Sequence, residues 1–382
     1  MKIVHVNDIV YGYATGDPSA RGGAERYGWY LMRALAAAGW TVTVGVRAAL
    51  PAGEERTVEG VRFLGIGNKK TFLSDWYWFL KREQPDWCFW QCASHLWGPC
   101  AEIARWLGVR TAFSTMHDND VQLGKVLARR KHLRFLYIWG LRRSDIIFIQ
   151  HYGQRDWLPS RWRAKAYLLP GIFPVPDRVT PHSERNGSVV WMAVIRPAKR
   201  PDLLIEIARQ LPTIRFIVGG APSLRFWDAE KIEDIMTQLR SFPNVDYRDH
   251  VAPHQALKII GEGSLFLSTS DGEGFPSVFL EAWGAGTPVV SLQIDPDHKI
   301  RDGGLGMVTE TVEGTIEAVH SLMAAPELRQ EMGARSRRHV QDMHSPTAAV
   351  RAFHTAIAAV SASWSRGSTK FPVNEIDSKD HV

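Results

Sequence analysis

The sequence predicts an α/β protein made of two doubly wound domains, each a parallel sheet with helices on both faces. Short apolar segments alternate with amphipathic ones along both halves of the chain, which is typical of buried parallel strands joined by helices. A stretch rich in proline and polar residues, Pro170–Ser188, separates the two halves. The chain has 382 residues, 45% of them hydrophobic, which is enough for two cores of ordinary size.

The first half is predicted to alternate strands with helices from its second residue onward. The predicted strands are Lys2–Val6, Thr41–Arg47, Trp87–Gln91, Arg110–Thr115 and Asp145–Gln150. The predicted helices are Ala24–Ala38, Leu73–Arg82, Leu96–Leu107 and Leu123–Leu141. Segment Asp8–Arg21 carries no such pattern and is predicted to be a loop.

The second half starts a new strand and helix series. The predicted strands are Val189–Ile195, Ile214–Val218, Asn244–Tyr247, Ser264–Ser268 and Pro288–Leu292, and the predicted helices are Asp202–Leu211, Lys231–Ser241, Gln255–Glu262 and Ser277–Ala285. Three further helices are predicted at Glu313–Met323, Pro326–Met343 and Thr347–Ser361. We therefore predict a first domain over 1–175, a second over 176–345, a helix over 346–365 that packs back on the first, and a disordered tail over 366–382.

Several function classes are not favoured by the composition. The N-terminal segment starts as a strand rather than as a signal peptide, and no apolar run approaches the ~20 residues that cross a bilayer, so we expect a cytoplasmic protein. The cysteines, Cys88, Cys92 and Cys100, are odd in number and are expected to be buried thiols.

Charge is distributed unevenly between the two halves. Residues 1–200 contain 29 Lys and Arg against 16 Asp and Glu, whereas residues 201–382 contain 17 against 24. The densest basic run, 129–134, is interpreted either as a solvated helix face or as a surface for anionic lipid headgroups, with the protein peripheral on the inner face of the membrane. No nucleic-acid recognition motif accompanies the charge, so no nucleic-acid partner is expected.

The segment Ser270–Ser291, SDGEGFPSVFLEAWGAGTPVVS, carries the strongest functional signal. It predicts a strand end, an acidic glycine turn, and a helix with Ser277 as its N-cap. The N-terminus of this helix would point out of the carboxyl edge of the sheet, where backbone N–H groups and the helix dipole favour a phosphate. Glu273 would lie on the turn and Glu281 one turn into the helix, each able to accept hydrogen bonds from sugar hydroxyls.

This string resembles glycosyltransferase family 4, whose fold is the two-lobed GT-B fold. The residues that carry the resemblance are Glu273-Gly274-Phe275-Pro276, Glu281-Ala282 and Gly286-Thr287-Pro288-Val289-Val290, and the likeness extends over nearly the whole chain. It implies that Glu273 contacts the donor sugar and that Glu281 binds the nucleotide ribose. It also places the donor at Gly274, Phe275, Pro276, Ser277 and Val278.

Three other segments match the same family. The loop Gly22-Gly23 opens a helix after the first strand, and the resemblance implies that it faces the donor diphosphate. His117 follows a strand end and is implied to lie close to the transferred sugar. Lys199 matches a family lysine, but the preceding Gly-Arg positions hold Ala193 and Val194. Arg196 stands two positions after Val194, the position of the arginine in the family pattern. Its assignment as the missing arginine therefore stays open.

No metal or other cofactor is expected. The segments Asp118-Asn119-Asp120 and Asp295-Pro296-Asp297 match D-x-D, the metal-binding signature of a different glycosyltransferase fold, but short acidic matches are common by chance. The resemblance implies a fold that normally works without a bound metal.

The resemblance implies a retaining glycosyltransferase that moves a hexose-type unit from a nucleotide-diphosphate sugar to an acceptor hydroxyl. The aromatic and basic first domain is expected to bind a lipid-linked or saccharide acceptor, as in bacterial-type cell-surface polysaccharide or glycolipid synthesis. Two alternatives remain open at this point: a nucleotide-sugar epimerase of the same fold, and a non-catalytic donor-binding scaffold subunit.

Overall fold

The computed structural model describes residues 1–17, 19–20, 22–67, 71–223 and 227–367, with the backbone alone for 128–129 and 362–367. Its first sheet has eight strands in the order β3-β4-β2-β1-β5-β6-β7-β8. The strands are β1 Lys2–Val6, β2 Thr41–Val46, β3 Glu55–Val58, β4 Val61–Gly65, β5 Trp87–Gln91, β6 Arg110–Ser114, β7 Ile146–Ile149 and β8 Ala166–Leu168. All neighbours pair in parallel except β3 and β4, so the predicted parallel sheet is confirmed.

Helices cover both faces of this sheet. They are α1 Asp8–Thr15, α2 Gly23–Ala37, α3 Phe72–Glu83, α4 Trp97–Trp106, α5 Arg134–Arg143, α6 Tyr152–Trp157 and α7 Ser160–Arg163. One apolar core joins the buried sides of α1 and α2 to the sheet, and a second joins α3, α4 and α5 to the opposite face. Cys88 and Cys100 are buried in the second core, Cys92 is partly exposed, and all three thiols are free.

The second sheet has six parallel strands in the order β11-β10-β9-β12-β13-β14. The strands are β9 Ser188–Met192, β10 Arg215–Gly219, β11 Val245–Arg248, β12 Leu265–Ser268, β13 Val289–Ser291 and β14 Gly306–Val308. Its helices are α8 Pro201–Gln210, α9 Ala229–Ser241, α10 Pro253–Glu262, α11 Ser277–Gly284, α12 Lys299–Gly303, α13 Val312–Ala324 and α14 Pro326–Met343. Again one core lies on each face.

The last helix, α15 Pro346–Gly367, crosses back to the first sheet, as the sequence predicts for the C-terminal helices. Phe353 on this helix is fully buried and its ring stacks on Phe148 of β7, with centroids 4.9 Å apart. The helix includes Arg366 and Gly367, which were predicted to start the disordered tail. The rest of that predicted tail, 368–382, lies outside the described residues.

Two local predictions are wrong, and one hairpin was not predicted. The predicted loop Asp8–Arg21 begins with helix α1, because the Asn7 side chain accepts hydrogen bonds from the backbone N–H groups of Ile9 and Val10. The predicted helix Leu123–Leu141 is helical only from Arg134, after turns and an irregular 3-10 segment. The hairpin β3–β4 was not predicted, because its exposed outer strand has no apolar alternation.

Within the described residues, no helix combines the length and the apolar character needed to cross a bilayer.

Candidate active site

A cavity of about 750 Å³ lies between the two sheets, at the carboxyl ends of strands from both. Its walls include loops that follow β6, β9, β10 and β12, which is the position where open α/β sheets bind ligands. Eleven of the twelve site residues predicted from the sequence line this one cavity. They are Gly22, Gly23, His117, Arg196, Lys199, Glu273, Phe275, Pro276, Ser277, Val278 and Glu281.

Helix α11 directs its N-terminus into the cavity. The predicted N-cap is corrected here: Pro276 is the N-cap residue, and Ser277 is the first residue of the helix. Proline has no N–H to satisfy and its ring restricts the backbone, so the helix starts immediately after it. Because the first N–H groups of a helix have no partner inside it, the backbone at Ser277 and Val278 is available to an anion in the cavity.

Glu281 lies one turn into α11 and is only 4% exposed. Its carboxylate forms an ion pair with Arg26, a residue of α2 in the first domain. The same guanidinium donates to the Ser277 hydroxyl across 3.1 Å. Burial alone would lower the pKa of Arg26, but the Glu281 charge raises it, so the guanidinium stays charged.

Sequence reasoning did not identify Arg26. One local signal could have pointed to it: it is a cation near the N-terminus of α2, where the helix dipole disfavours positive charge. Such a placement indicates an anionic partner outside the helix. That partner comes from a residue 255 positions away in the chain, so no local pattern identifies it.

Two residues that were predicted from separate motifs also form an ion pair. Lys199 forms an ion pair with Glu273, and both side chains are largely buried, at 14% and 13% exposure. The lysine backbone is held in place because its carbonyl accepts a 2.7 Å hydrogen bond from the Thr269 hydroxyl. The structure therefore brings together the cation and the carboxylate that were predicted from separate motifs.

Arg196 lines the same cavity, at the start of a 3-10 turn that contains Lys199. Among the described residues, its guanidinium has no ion-pair or hydrogen-bond partner. Val194, which stands where the family pattern has its arginine, is 53% exposed.

His117 and Gly274 meet across the cleft. A Cβ on Gly274 would lie 3.1 Å from the His117 Cα and 3.0 Å from the Met116 carbonyl oxygen, so a side chain there would push the backbones of the two domains apart by a few tenths of an ångström. The His117 Nδ1 accepts from the backbone N–H of Asn119 at 3.0 Å, which fixes the orientation of the ring. Gly274 faces a neighbouring cavity of about 440 Å³ rather than the larger one.

The two D-x-D segments form hydrogen bonds beside that neighbouring cavity. Asp118 accepts from His151 Nε2 at 2.8 Å, and Asp297 of the second domain accepts from the backbone N–H of Tyr152 at 2.8 Å. Asp120 is buried, which raises the pKa of its carboxyl, and it accepts from the backbone of the 116–117 segment. In the part of the chain that the structure describes, no three His, Cys, Asp or Glu side chains are grouped so as to hold a metal ion.

Comparison with protein families matches each domain separately. Residues 22–167 match the family described as glycosyl transferase 4-like domain, and residues 199–355 match the family described as glycosyl transferase-like. A D-inositol 3-phosphate glycosyltransferase of Segniliparus rotundus is 30% identical over 183 residues, which is 43% of this chain and 39% of that protein. The chain thus matches well under half of the length of this curated relative.

Solved structures share the fold over almost the whole chain. Sucrose-phosphate synthase of Thermosynechococcus elongatus superimposes with a TM-score of 0.73 at 16% identity. The superposition covers 97% of this chain and 100% of the synthase chain. Anabaena HepE in complex with UDP and glucose gives a TM-score of 0.70 at 13% identity, covering 94% and 100%. Each of the two domains therefore matches a glycosyltransferase family, and together they form the two-lobed GT-B fold that these solved structures share.

Proposed function

We propose that this chain is a retaining, family 4 glycosyltransferase that moves a hexose-type unit from a nucleotide-diphosphate sugar to an acceptor hydroxyl. The observation that carries the proposal is the composition of the interdomain cavity. The N-terminus of α11, the carboxylates of Glu273 and Glu281, and the cation of Lys199 all face it. The relative's name supports glycosyl transfer, and a structural neighbour solved with UDP and glucose supports a nucleotide-sugar donor.

The donor is proposed to bind along α11. Its diphosphate accepts hydrogen bonds from the backbone of Ser277 and Val278, because a helix N-terminus offers unpaired N–H groups and a positive dipole end. Its ribose diol donates to Glu281, the buried carboxylate that pairs with Arg26. Gly22 and Gly23 cover the phosphates from the first domain, since a glycine backbone permits close approach.

In the proposed reaction, the main contribution of the protein is to stabilise the negative charge on the leaving diphosphate. The bond between the anomeric carbon and the diphosphate oxygen breaks, and the acceptor oxygen forms its bond on the same face of the sugar. The departing phosphate oxygen takes the acceptor proton. Lys199 and Arg196 stabilise the negative charge that develops on the leaving group, and Glu273 and His117 orient the sugar. No metal takes part in this proposal.

The acceptor is proposed to approach from the first domain. The excess of Lys and Arg in residues 1–200 favours an acceptor that carries negative charge, such as a lipid-linked or phosphorylated saccharide or polyol. The relative's name, a glycosyltransferase of D-inositol 3-phosphate, supports the same chemical class. A place in cell-surface polysaccharide or glycolipid synthesis fits such an acceptor.

A thermal-shift screen against UDP-, GDP-, ADP- and dTDP-sugars tests the donor class, because a ligand that binds the folded state raises its stability. We expect one nucleotide series to raise the melting temperature, and its sugar to be transferred when acceptors are supplied. The absence of any response would overturn the proposal. Release of free nucleotide and an altered sugar without an acceptor would indicate an epimerase, and binding without turnover would indicate a scaffold.

A further inference from the structure

The proposed donor site has a shortage of cations at the diphosphate. A nucleoside diphosphate carries several negative charges, and the leaving group gains more as the sugar departs. Lys199 shares its charge with Glu273, and the positions of the family's Gly-Arg pair hold Ala193 and Val194. Arg196, which has no ion-pair partner among the described residues, is the other cation that the second domain offers, and a further cation from the first domain would help to neutralise the diphosphate.

Arg26 already lies at the position where the phosphates are proposed to bind. Its guanidinium is 3.1 Å from the hydroxyl of Ser277, the first residue of the phosphate-binding helix. Gly23, at the start of the same helix, also lies close to this hydroxyl: a Cβ there would be 3.3 Å from its oxygen. The start of α2 and the start of α11 thus face each other across the domain boundary, with Arg26 between them.

The partner that holds Arg26 is the residue that the ribose is proposed to use. The Arg26 guanidinium and a ribose diol would compete for one carboxylate, that of Glu281. Tyr13 and Tyr30 line the same cavity near Arg26, and burial raises the pKa of both phenols, so neither offers it a negative charge. Once the ribose occupies Glu281, a diphosphate at Ser277 lies within reach of the guanidinium, which is 3.1 Å from the Ser277 hydroxyl.

We propose that Arg26 is a further diphosphate-binding cation of this site, supplied by the first domain and acting beside Lys199 and Arg196 of the second. This inference rests on the proposed function. The ribose displaces Arg26 from Glu281, and the guanidinium then pairs with the diphosphate. Because Arg26 belongs to the first domain and Ser277 to the second, the same contact couples phosphate binding to closure of the two domains.

The test compares each nucleoside with its diphosphate by isothermal titration: uridine with UDP, guanosine with GDP, adenosine with ADP and thymidine with dTDP. The measured quantity is the Kd of the nucleoside divided by the Kd of its diphosphate. This ratio isolates the contribution of the phosphates to binding. In Arg26→Met we expect this ratio to fall about tenfold or more, which is the usual effect of losing a charge-assisted hydrogen bond. Binding of the nucleoside alone should stay equal or become tighter, since Glu281 has lost a competitor.

Three further variants complete the experiment. Arg26→Lys keeps the charge and should retain part of the ratio. Arg26→Gln keeps a donor for Glu281, so it supplies the measurement should the methionine variant not fold. Arg33→Met is the matched control, because Arg33 lies on the same helix but pairs with the exposed Glu59; its ratio should equal that of the unmodified chain.

The outcomes separate the two proposals. An unmodified chain that binds none of the four diphosphates overturns both the proposed function and the role of Arg26. Diphosphate binding by the unmodified chain with an unchanged ratio in Arg26→Met and Arg26→Gln overturns the role of Arg26 alone. A fall in the ratio that also occurs in Arg33→Met overturns it as well, because the effect would then follow from general positive charge on α2.

Discussion

Lys199 and Glu273 are 74 residues apart in the chain and form an ion pair at the edge of the interdomain cavity. Each belongs to a loop that follows a strand of the second sheet, Lys199 after β9 and Glu273 after β12. Those strands are neighbours in the sheet, so their loops meet. The charge on each residue is therefore compensated by the other, and neither can be removed without leaving a largely buried partner unpaired.

This pairing predicts that Lys199→Met and Glu273→Gln each reduce transfer severely. Each variant removes a group proposed to act on the leaving diphosphate or the sugar, and we expect a loss in kcat of about a hundredfold or more. The measurement is release of nucleotide coupled to product formation. Lys231→Met is the matched control, because Lys231 forms an exposed ion pair with Asp234. Retention of transfer to within about threefold in both site variants would contradict the assignment.

Two glycines of one loop should respond differently to the same substitution. Gly274→Ala should slow transfer, because its Cβ would press on the Met116 carbonyl at 3.0 Å and hinder closure of the two domains. Gly272→Ala should be tolerated, because nothing lies within 4 Å of a Cβ at that position. The measurement is kcat/KM for both variants with melting temperature as a check of folding. Equal activity in the two variants would show that the contact at Gly274 does not limit closure.

Stability of the first domain should depend on a residue near the other end of the chain. Phe353 of α15 is buried against Phe148, with further ring contacts to Trp40 and Phe89 at 5.6 and 6.4 Å. Phe353→Ala should lower the free energy of unfolding by about 3–5 kcal/mol, as removal of a buried aromatic ring does. Arg351→Ala, at an exposed position of the same helix, should change it by less than about 0.5 kcal/mol. Urea titration measures both, and similar values would contradict the packing of α15.

The stability of the chain should fall in mild acid, in part through His344. Burial, followed by the nearby His339, lowers the pKa of His344 from 6.5 to about 3, and its Nδ1 donates to the Gly171 carbonyl at 2.8 Å. Between those pH values the unfolded chain binds a proton here that the folded chain does not. Stability is therefore lost as the pH falls below about 6.5, by about 2 kcal/mol at pH 5 for this one group.

The check compares unfolding free energies at pH 7.5 and pH 5. His344→Gln should lose about 2 kcal/mol less than the unmodified chain over this interval, because the titrating group is gone. His320→Gln replaces an exposed histidine and should follow the unmodified chain. An identical pH dependence in His344→Gln would show that this histidine is not kept neutral by the fold.

Much of the fold and part of the candidate site could be predicted from the sequence. Apolar runs bounded by turns predicted most strands, because a strand buried on both faces of a parallel sheet must be apolar throughout. The site residues Glu273, Glu281 and Lys199 could be predicted as neighbours of one cavity. Lys199 and Glu273 follow strand ends, Glu281 lies on the helix that begins after one of them, and parallel strands bring those ends to one edge. Their chemical roles remain proposals.

Only the tertiary structure decided which charges pair across the cleft. The contact between Arg26 and Glu281, and that between Asp297 and the backbone of Tyr152, join residues of different domains. Helix and strand periodicity reports how one segment buries its own apolar side, and it contains nothing about which polar groups of two separate sheets come to face each other. The sequence by itself therefore determined the two sheets and the helix that points into the cleft, whereas the approach of the two domains determined the partners of the buried charges.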